Sequence, residues 1–318
     1  MLGEGFHGGV WECPDLFQLP ILNPDDETAT IGDEAWVLIV SVGPGEGFSE
    51  GSRTQYFIGN FDGLTFNNVN PPNIVFWLDY GRDNYAGVSY TGIPPEDGRC
   101  IIQSWMSNWM YANLVPTNPW RGAMTIPRVL SLWRAQAGVR LFQQPVRELE
   151  RLRTGIAVSH DFRLSSQATT FENLPVRFDF LVDFSWSPGS FPGVIEVSLQ
   201  TDTSGGAITI RFYPDDGKFS IDRSKSGLVG FHAFFPGACE APLQSSGNTF
   251  SMRMLVDTSS IELFVNDGAS VVTDLFLPRS RCRSLSFRSA ETNMPQNVLA
   301  VYARLVPYPI ADSNRALR

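Results

Sequence analysis

The sequence predicts an all-β chain of two domains, and three observations carry that reading. Its apolar runs are short, rich in Val, Ile, Phe and Tyr, and bounded by Gly, Pro, Asn or Asp, which is how strands are punctuated. A single segment has helical spacing. At 318 residues the chain is long for one hydrophobic core and comfortable for two.

The runs Trp36–Val42, Tyr56–Phe61, Tyr85–Thr91 and Cys100–Trp105 recur at short intervals, which fits a sandwich, a barrel or a propeller. The pattern changes near Gln144. In PVRELERLR (Pro145–Arg153), Val146, Leu149 and Leu152 fall three apart behind a Pro, with charges between them. That spacing predicts a short connecting helix. Beyond it, Val176, Phe178, Phe180, Val182 and Phe184 alternate with Arg177, Asp179 and Asp183, as a strand with one wet face does. Ile208, Ile210 and Phe212 repeat the device. Ile261, Leu263 and Val265 run into Asn266-Asp267-Gly268, whose Asp-Gly favours a tight turn. Val298–Val306 closes the series. The expected organisation is a first β domain over 1–144, a helical linker over 145–155 and a β-sandwich over 156–318.

Composition narrows the function. Hydrophobic residues make up 43% and charged residues 18%, which is globular composition. With 24 Lys+Arg against 33 Asp+Glu, the net charge of -9 argues against nucleic acid and anionic membranes as partners. No apolar run approaches the roughly 20 residues that a membrane helix needs. The opening MLGEGFHGGVWECPD has none of the features of a signal peptide, and the chain has no Asn-x-Ser/Thr sequon. Four cysteines are too few for a disulfide scaffold; Cys239 and Cys282 either pair or stay buried thiols. The three histidines are scattered, so neither a metal nor another cofactor is expected.

The sharpest chemical signal is Glu12, set between Trp11 and Cys13-Pro14 behind Gly8-Gly9. A carboxylate held against an indole in a partly dry cleft has its pKa raised, as a general acid near neutral pH requires. The competing reading makes Glu12 a surface residue at a strand end. WLDYGRDNYAG (Trp77–Gly87) adds Asp79, Arg82 and Asp83 among aromatics, and WMSNWMYA (Trp105–Ala112) adds Trp105, Asn108 and Trp109. Rings interleaved with carboxylate, amide and guanidinium groups suit a sugar, whose C–H faces stack while its hydroxyls take directional hydrogen bonds.

WECPDLF (Trp11–Phe17), QYFIGNFDGLTF (Gln55–Phe66), LDYGRDNYAG (Leu78–Gly87), WMSNWMYA and RGAMTIPRVLSL (Arg121–Leu132) resemble, in order, the motifs of family 32 glycoside hydrolases, the invertases, inulinases and levanases. IDRSKSG (Ile221–Gly227) and VDTSSIELFVNDG (Val256–Gly268) resemble that family's C-terminal sandwich. The resemblance implies a partial five-bladed β-propeller followed by a β-sandwich, and hydrolysis of β-fructofuranosides such as sucrose, inulin or levan with retention of configuration. It implies that Glu12 is the acid/base, that Trp11, Asp79, Arg82, Trp105, Asn108 and Trp109 surround the sugar, and that the protein works outside the cell. The family's nucleophile, the first Asp of a Trp-Met-Asn-Asp-Pro-Asn-Gly motif, has no counterpart in these residues, and neither does its Arg-Asp-Pro motif. Retaining glycosidases hold two carboxyl groups about 5–5.5 Å apart. Glu12 supplies one of them, so the expectation is a chain that lacks its N-terminal part and is inactive alone. The alternative is a fructan-binding or regulatory protein without catalysis.

Overall fold

The computed structural model describes residues 3–23, 33–45, 50–135, 138–154, 159–188, 193–244, 247–280 and 283–289, and the backbone of 302–309. It divides into two compact units, Met1–Val146 and Arg147–Arg318.

The first unit consists of two antiparallel meanders. One runs Trp11–Leu22, Glu34–Val42, Arg53–Phe61 and Phe66–Asn68, each strand hydrogen-bonded to the next. The other places Cys100–Met106 between Tyr85–Ser89 and Arg128–Ala135, with Gly138–Pro145 beyond. They join where Ile21 and Leu22 lie parallel to Leu132 and Trp133. Such up-and-down sheets are how propeller blades are made. The strand Glu34–Val42 shows why it forms: Ala35, Val37 and Ile39 face a core shared with Ile58, Leu78, Ile102 and Leu132. Each side chain fully buried there is worth about 1.5–3 kcal/mol.

The second unit has two six-stranded antiparallel sheets. The first runs in the order His160–Arg163, Tyr302–Pro309, Phe178–Ser185, Thr249–Val256, Ser260–Val265 and Ser270–Leu275. The second runs Thr169–Phe171, Ser284–Ser289, Ile195–Gln200, Ala207–Tyr213, Lys218–Lys225 and Ala238–Pro242. Phe184 and Phe250 of the first meet Phe212 of the second, with ring centroids 5.9 and 4.7 Å away, so the inner faces form one aromatic core. The hairpin after Val265 turns through Asn266, Asp267 and Gly268 at φ 49°, 55° and 83°.

Two expectations need adjustment. The helix is a 3-10 helix, Arg147–Leu152, whose three-residue period is the spacing of Val146, Leu149 and Leu152. Two more 3-10 turns occur at Ala112–Leu114 and Pro214–Asp216. Asp179 is not on a wet face: it is fully buried between Arg153 and Arg253. The last strand is described over Tyr302–Pro309, and Val298, where it was expected to begin, lies outside the described residues. Cys239 is buried, while Cys282 lies outside the described residues, and with it the pairing of the two. No helix among the described residues is long and apolar enough to cross a membrane.

Candidate active site

Glu12 sits where its strand departs from regular pairing. Glu12 opposes Ser41 and Asp15 opposes Ile39, so the Glu12 strand carries one residue too many in this stretch. Cys13 absorbs the bulge at φ 48°. A bulge of this kind re-aims the side chain beside it. The strand that meets Glu12 does the same thing: its register shifts between Tyr85 and Val88, and Ala86 takes φ 52°. The Ala86 N–H, released from the ladder, donates to Ser41 Oγ over 3.0 Å, and Ser89 N–H donates to Asp15 Oδ2 over 2.6 Å. Between the two bulges the Tyr85 hydroxyl donates to Glu12 Oε2. Tyr85 is 2% exposed whereas Glu12 is exposed. Burial, and then the neighbouring carboxylate, push the Tyr85 phenol well above its ordinary value, so it stays protonated and donates.

Two glycine pairs allow this approach. A Cβ on Gly9 would lie 2.0 Å from the Gly43 carbonyl oxygen, and one on Gly45 would lie 1.5 Å from that of Gly8. The Gly8-Gly9 signal in the sequence therefore reports close backbone packing beside Glu12.

Trp11 does not form the dry wall expected for Glu12. Its ring stacks on His7 at 4.5 Å, and its indole N–H donates to the Phe6 carbonyl over 2.8 Å. Gln55 grips Phe6 at both backbone atoms, so the segment before Glu12 is pinned to the strand Arg53–Phe61. Glu12 is thus held by a phenol donor and left open to solvent, not desolvated against indole.

Asp79 and Arg82 lie inside the unit. Asp79 is 1% exposed and pairs with Arg128, equally buried, over 2.9 Å. It also accepts from the Gly81 N–H and from Asn84. Asn108, expected at the sugar, is fully buried. Its amide donates to the carbonyls of Glu50 and Arg82 and accepts from the N–H groups of Ser52 and Met110. That fills the hydrogen-bonding capacity of the side chain. Asn108 therefore ties a loop together and presents nothing to a ligand. Sequence reasoning missed Arg128, Tyr85 and Tyr111, whose hydroxyl donates to Asp83 over 2.7 Å. Arg128 and Tyr85 stand inside motifs already singled out, but which acidic group each would meet depends on strand pairing.

Trp105 and Trp109 are brought together, with centroids 4.9 Å apart. Trp105 also meets the Tyr85 ring edge-on at 6.4 Å. Glu12, Tyr85, Trp105 and Trp109 therefore form one connected row. Trp109 is 51% exposed. An indole that uncovered, held against a second ring, has a face open to a ligand with apolar faces. Among the described residues no three His, Cys, Asp or Glu side chains gather as a metal site.

Residues 2–145 match the family model for the glycosyl hydrolases family 32 N-terminal domain, and residues 148–302 match that for the family 32 C-terminal domain. The chain is 41% identical over 311 residues to a levanase of Bacillus subtilis, covering 94% of this chain and 43% of that protein. It is 35% identical over 284 residues to an extracellular exo-inulinase of Aspergillus ficuum, covering 85% and 50%. Among solved structures, exo-inulinase from Aspergillus awamori superposes with TM-score 0.82 at 29% identity, covering 97% of this chain and 58% of that one. The β-fructofuranosidase of Schwanniomyces occidentalis superposes with TM-score 0.75 at 24% identity, over 96% and 60%. The chain thus spans about half the length of these proteins.

Proposed function

Because the chain belongs to glycoside hydrolase family 32, we propose that it carries the acid/base arm of a retaining β-fructofuranosidase. Glu12 is the group that moves the proton. In the first step its carboxyl protonates the glycosidic oxygen while a second carboxylate attacks the anomeric carbon. In the second it takes a proton from the water that displaces that carboxylate. The observation that carries this reading is the placement of Glu12: exposed, re-aimed by a bulge, and held by the hydroxyl of a buried phenol that donates to it. Tyr85 is the positioning residue. Trp105 and Trp109 offer rings to the C–H faces of the sugar, and Trp11, stacked on His7 and bonded to Phe6, steadies the segment before Glu12. Asp79 and Arg82 act from beneath, through the ion pair and loop that fix the row.

The substrates proposed are sucrose, inulin or levan, in keeping with the levanase and exo-inulinase relatives. An extracellular place of action is proposed in keeping with the exo-inulinase relative, which is named as extracellular. The first unit is proposed as part of a five-bladed propeller, its 1–144 domain joined by the 145–155 linker to the sandwich of 156–318. Among the described residues, the second carboxylate of the pair is not one of the groups gathered at Glu12. The chain alone is therefore proposed to hold fructosides without cleaving them.

The test is fructose release from sucrose, inulin and levan by the purified chain, beside Glu12→Gln. No release from either, with retention on an inulin column, is the expected result. Release that Glu12→Gln abolishes would show that a nucleophile is already present, and would overturn the half-site. No retention would remove the binding reading as well.

A further inference from the structure

The sandwich carries a feature that the proposed reaction does not use. On the outer face of its second sheet a cavity of about 270 Å³ is lined by Thr170, Glu172, Ser198, Gln200, Ser284 and Ser286, with Gly205 and Ala207 at one end. Strand pairing builds it. Ser198 opposes Ser286, Gln200 opposes Ser284, and Thr170 opposes Ser286 from the other side, so hydroxyls and an amide stand in adjacent rows. Their sequence neighbours Val197, Leu199, Leu285 and Phe287 are fully buried on the inner face. The alternation that fills the core thus also gives the groove its polar floor.

Two facts set this floor apart from an ordinary solvated face. Elsewhere on the sheet, Glu196 takes Arg211 at 2.9 Å and Arg288 at 2.6 Å, and Lys218 takes Glu240 at 3.0 Å. In the groove, Thr170, Ser198 and Ser286 make no side-chain hydrogen bond among the described residues, while Gln200 is fixed by Ser284 and by the Asp202 carbonyl. The end wall is also rigid. Asp202 is 1% exposed, and its Oδ1 accepts from the N–H groups of Ser204 and Gly206 and from the Ser204 hydroxyl. A Cβ on Gly206 would lie 2.6 Å from Asp202 Oδ2. Although burial opposes it, these donors hold the Asp202 carboxyl below its usual range, so the loop stays tied at neutral pH.

We propose that this groove is a second carbohydrate site, taking a short stretch of a neutral, hydroxyl-rich chain away from Glu12. Its lining has several unspent hydroxyls, one carboxylate and no cation, which disfavours anions. It has no large apolar side chain to hold a lipid or an amphipathic peptide. Lacking an aromatic ring, it binds weakly, at about millimolar strength per contact. The choice of a fructan as that hydroxyl-rich chain rests on the family 32 reading.

The test is native electrophoresis of the full chain in gels containing levan or inulin. It compares wild type, Ser198→Val/Ser286→Val, and Trp109→Ala, with thermal melting to confirm that each variant folds. Wild type is expected to be retarded, and the groove variant to lose at least threefold of that retardation, separately from the loss in Trp109→Ala. A groove variant retarded like wild type would overturn the second site while leaving the first unit's reading intact. Retardation lost with the groove and unchanged in Trp109→Ala would keep the groove and overturn the platform. A groove variant that alters the oligomeric state without altering retardation would make this face a contact between copies and overturn the sugar site.

Discussion

Asp179 in the C-terminal unit and Glu12 in the N-terminal unit are both carboxylates on strands, and the protein treats them in opposite ways. Asp179 is fully buried and accepts from Arg153 at 2.6 and 2.9 Å, and from Arg253 at 2.9 Å through both oxygens. Glu12 is exposed and receives one side-chain donor, the Tyr85 hydroxyl. A carboxylate ringed by guanidinium groups has its oxygens committed to charge-assisted hydrogen bonds. One with a single neutral donor keeps lone pairs free for another partner. The contrast separates structural acids from working ones better than burial alone. Asp79, which the sequence placed beside the sugar, falls with Asp179: it is buried against Arg128.

The largest break in this comparison comes from removing the structural acid. Asp179→Ala would leave two mostly buried guanidinium groups facing an empty site. Breaking a buried pair in this way costs about 3–5 kcal/mol. The urea midpoint of the C-terminal transition is expected to fall accordingly. A loss below about 1 kcal/mol would mean that Arg153 and Arg253 find water, and that Asp179 is no lock.

The fold was legible in the sequence where side chains alternate. Phe178, Phe180, Val182 and Phe184 were read correctly as one buried face because period two is a local property. The polar partners between them were not legible. Asp179 looked like a solvated residue because Arg153 reaches it from just past a 3-10 helix and Arg253 from the neighbouring strand. The same limit applied at the site. The identity of Glu12 could be read from its motif, but its environment could not. Trp11 adjoins it in sequence and turns to His7, while Tyr85 is 73 positions away and is delivered by two bulges. Asn108 shows the converse: an amide set among aromatics reads as a ligand group until the backbone atoms that consume it are seen.

The thiols repeat the comparison at a smaller scale. Cys13 is exposed beside Glu12, whereas Cys100 is partly buried, and burial, with help from Asp15, raises its pKa to about 12. A raised pKa favours the protonated thiol in the folded state. That contribution is complete below the unfolded value of about 8.5 and is lost as pH rises toward 12. Over this window wild type is expected to lose up to about 1.4 kcal/mol per pH unit through this proton, and Cys100→Ala less. Alkylation followed by mass spectrometry at pH 8 is expected to label Cys13 and spare Cys100. Equal labelling would mean that the N-terminal meander opens locally. Tyr85→Phe is the next step down. It removes one hydrogen bond from a buried ring while Glu12 remains able to bond water, so the expected cost is about 1 kcal/mol in the N-terminal transition.

The smallest effect is expected at the residue that matters most to the proposed chemistry. Glu12→Gln keeps the length of the side chain and an oxygen that can accept from Tyr85, and the position is exposed, so stability should move by less than about 0.5 kcal/mol. A clear gain in stability would indicate that the native carboxylate is strained by the bulge at Cys13, as working groups held in unusual backbone often are. A loss of 2 kcal/mol or more, on the order of a broken buried hydrogen bond to a charged group, would place Glu12 with Asp179 as a structural acid. The distinction between the two carboxylates would then be lost, and the proton-moving role would have to be sought elsewhere along the row that runs through Tyr85 to Trp105 and Trp109.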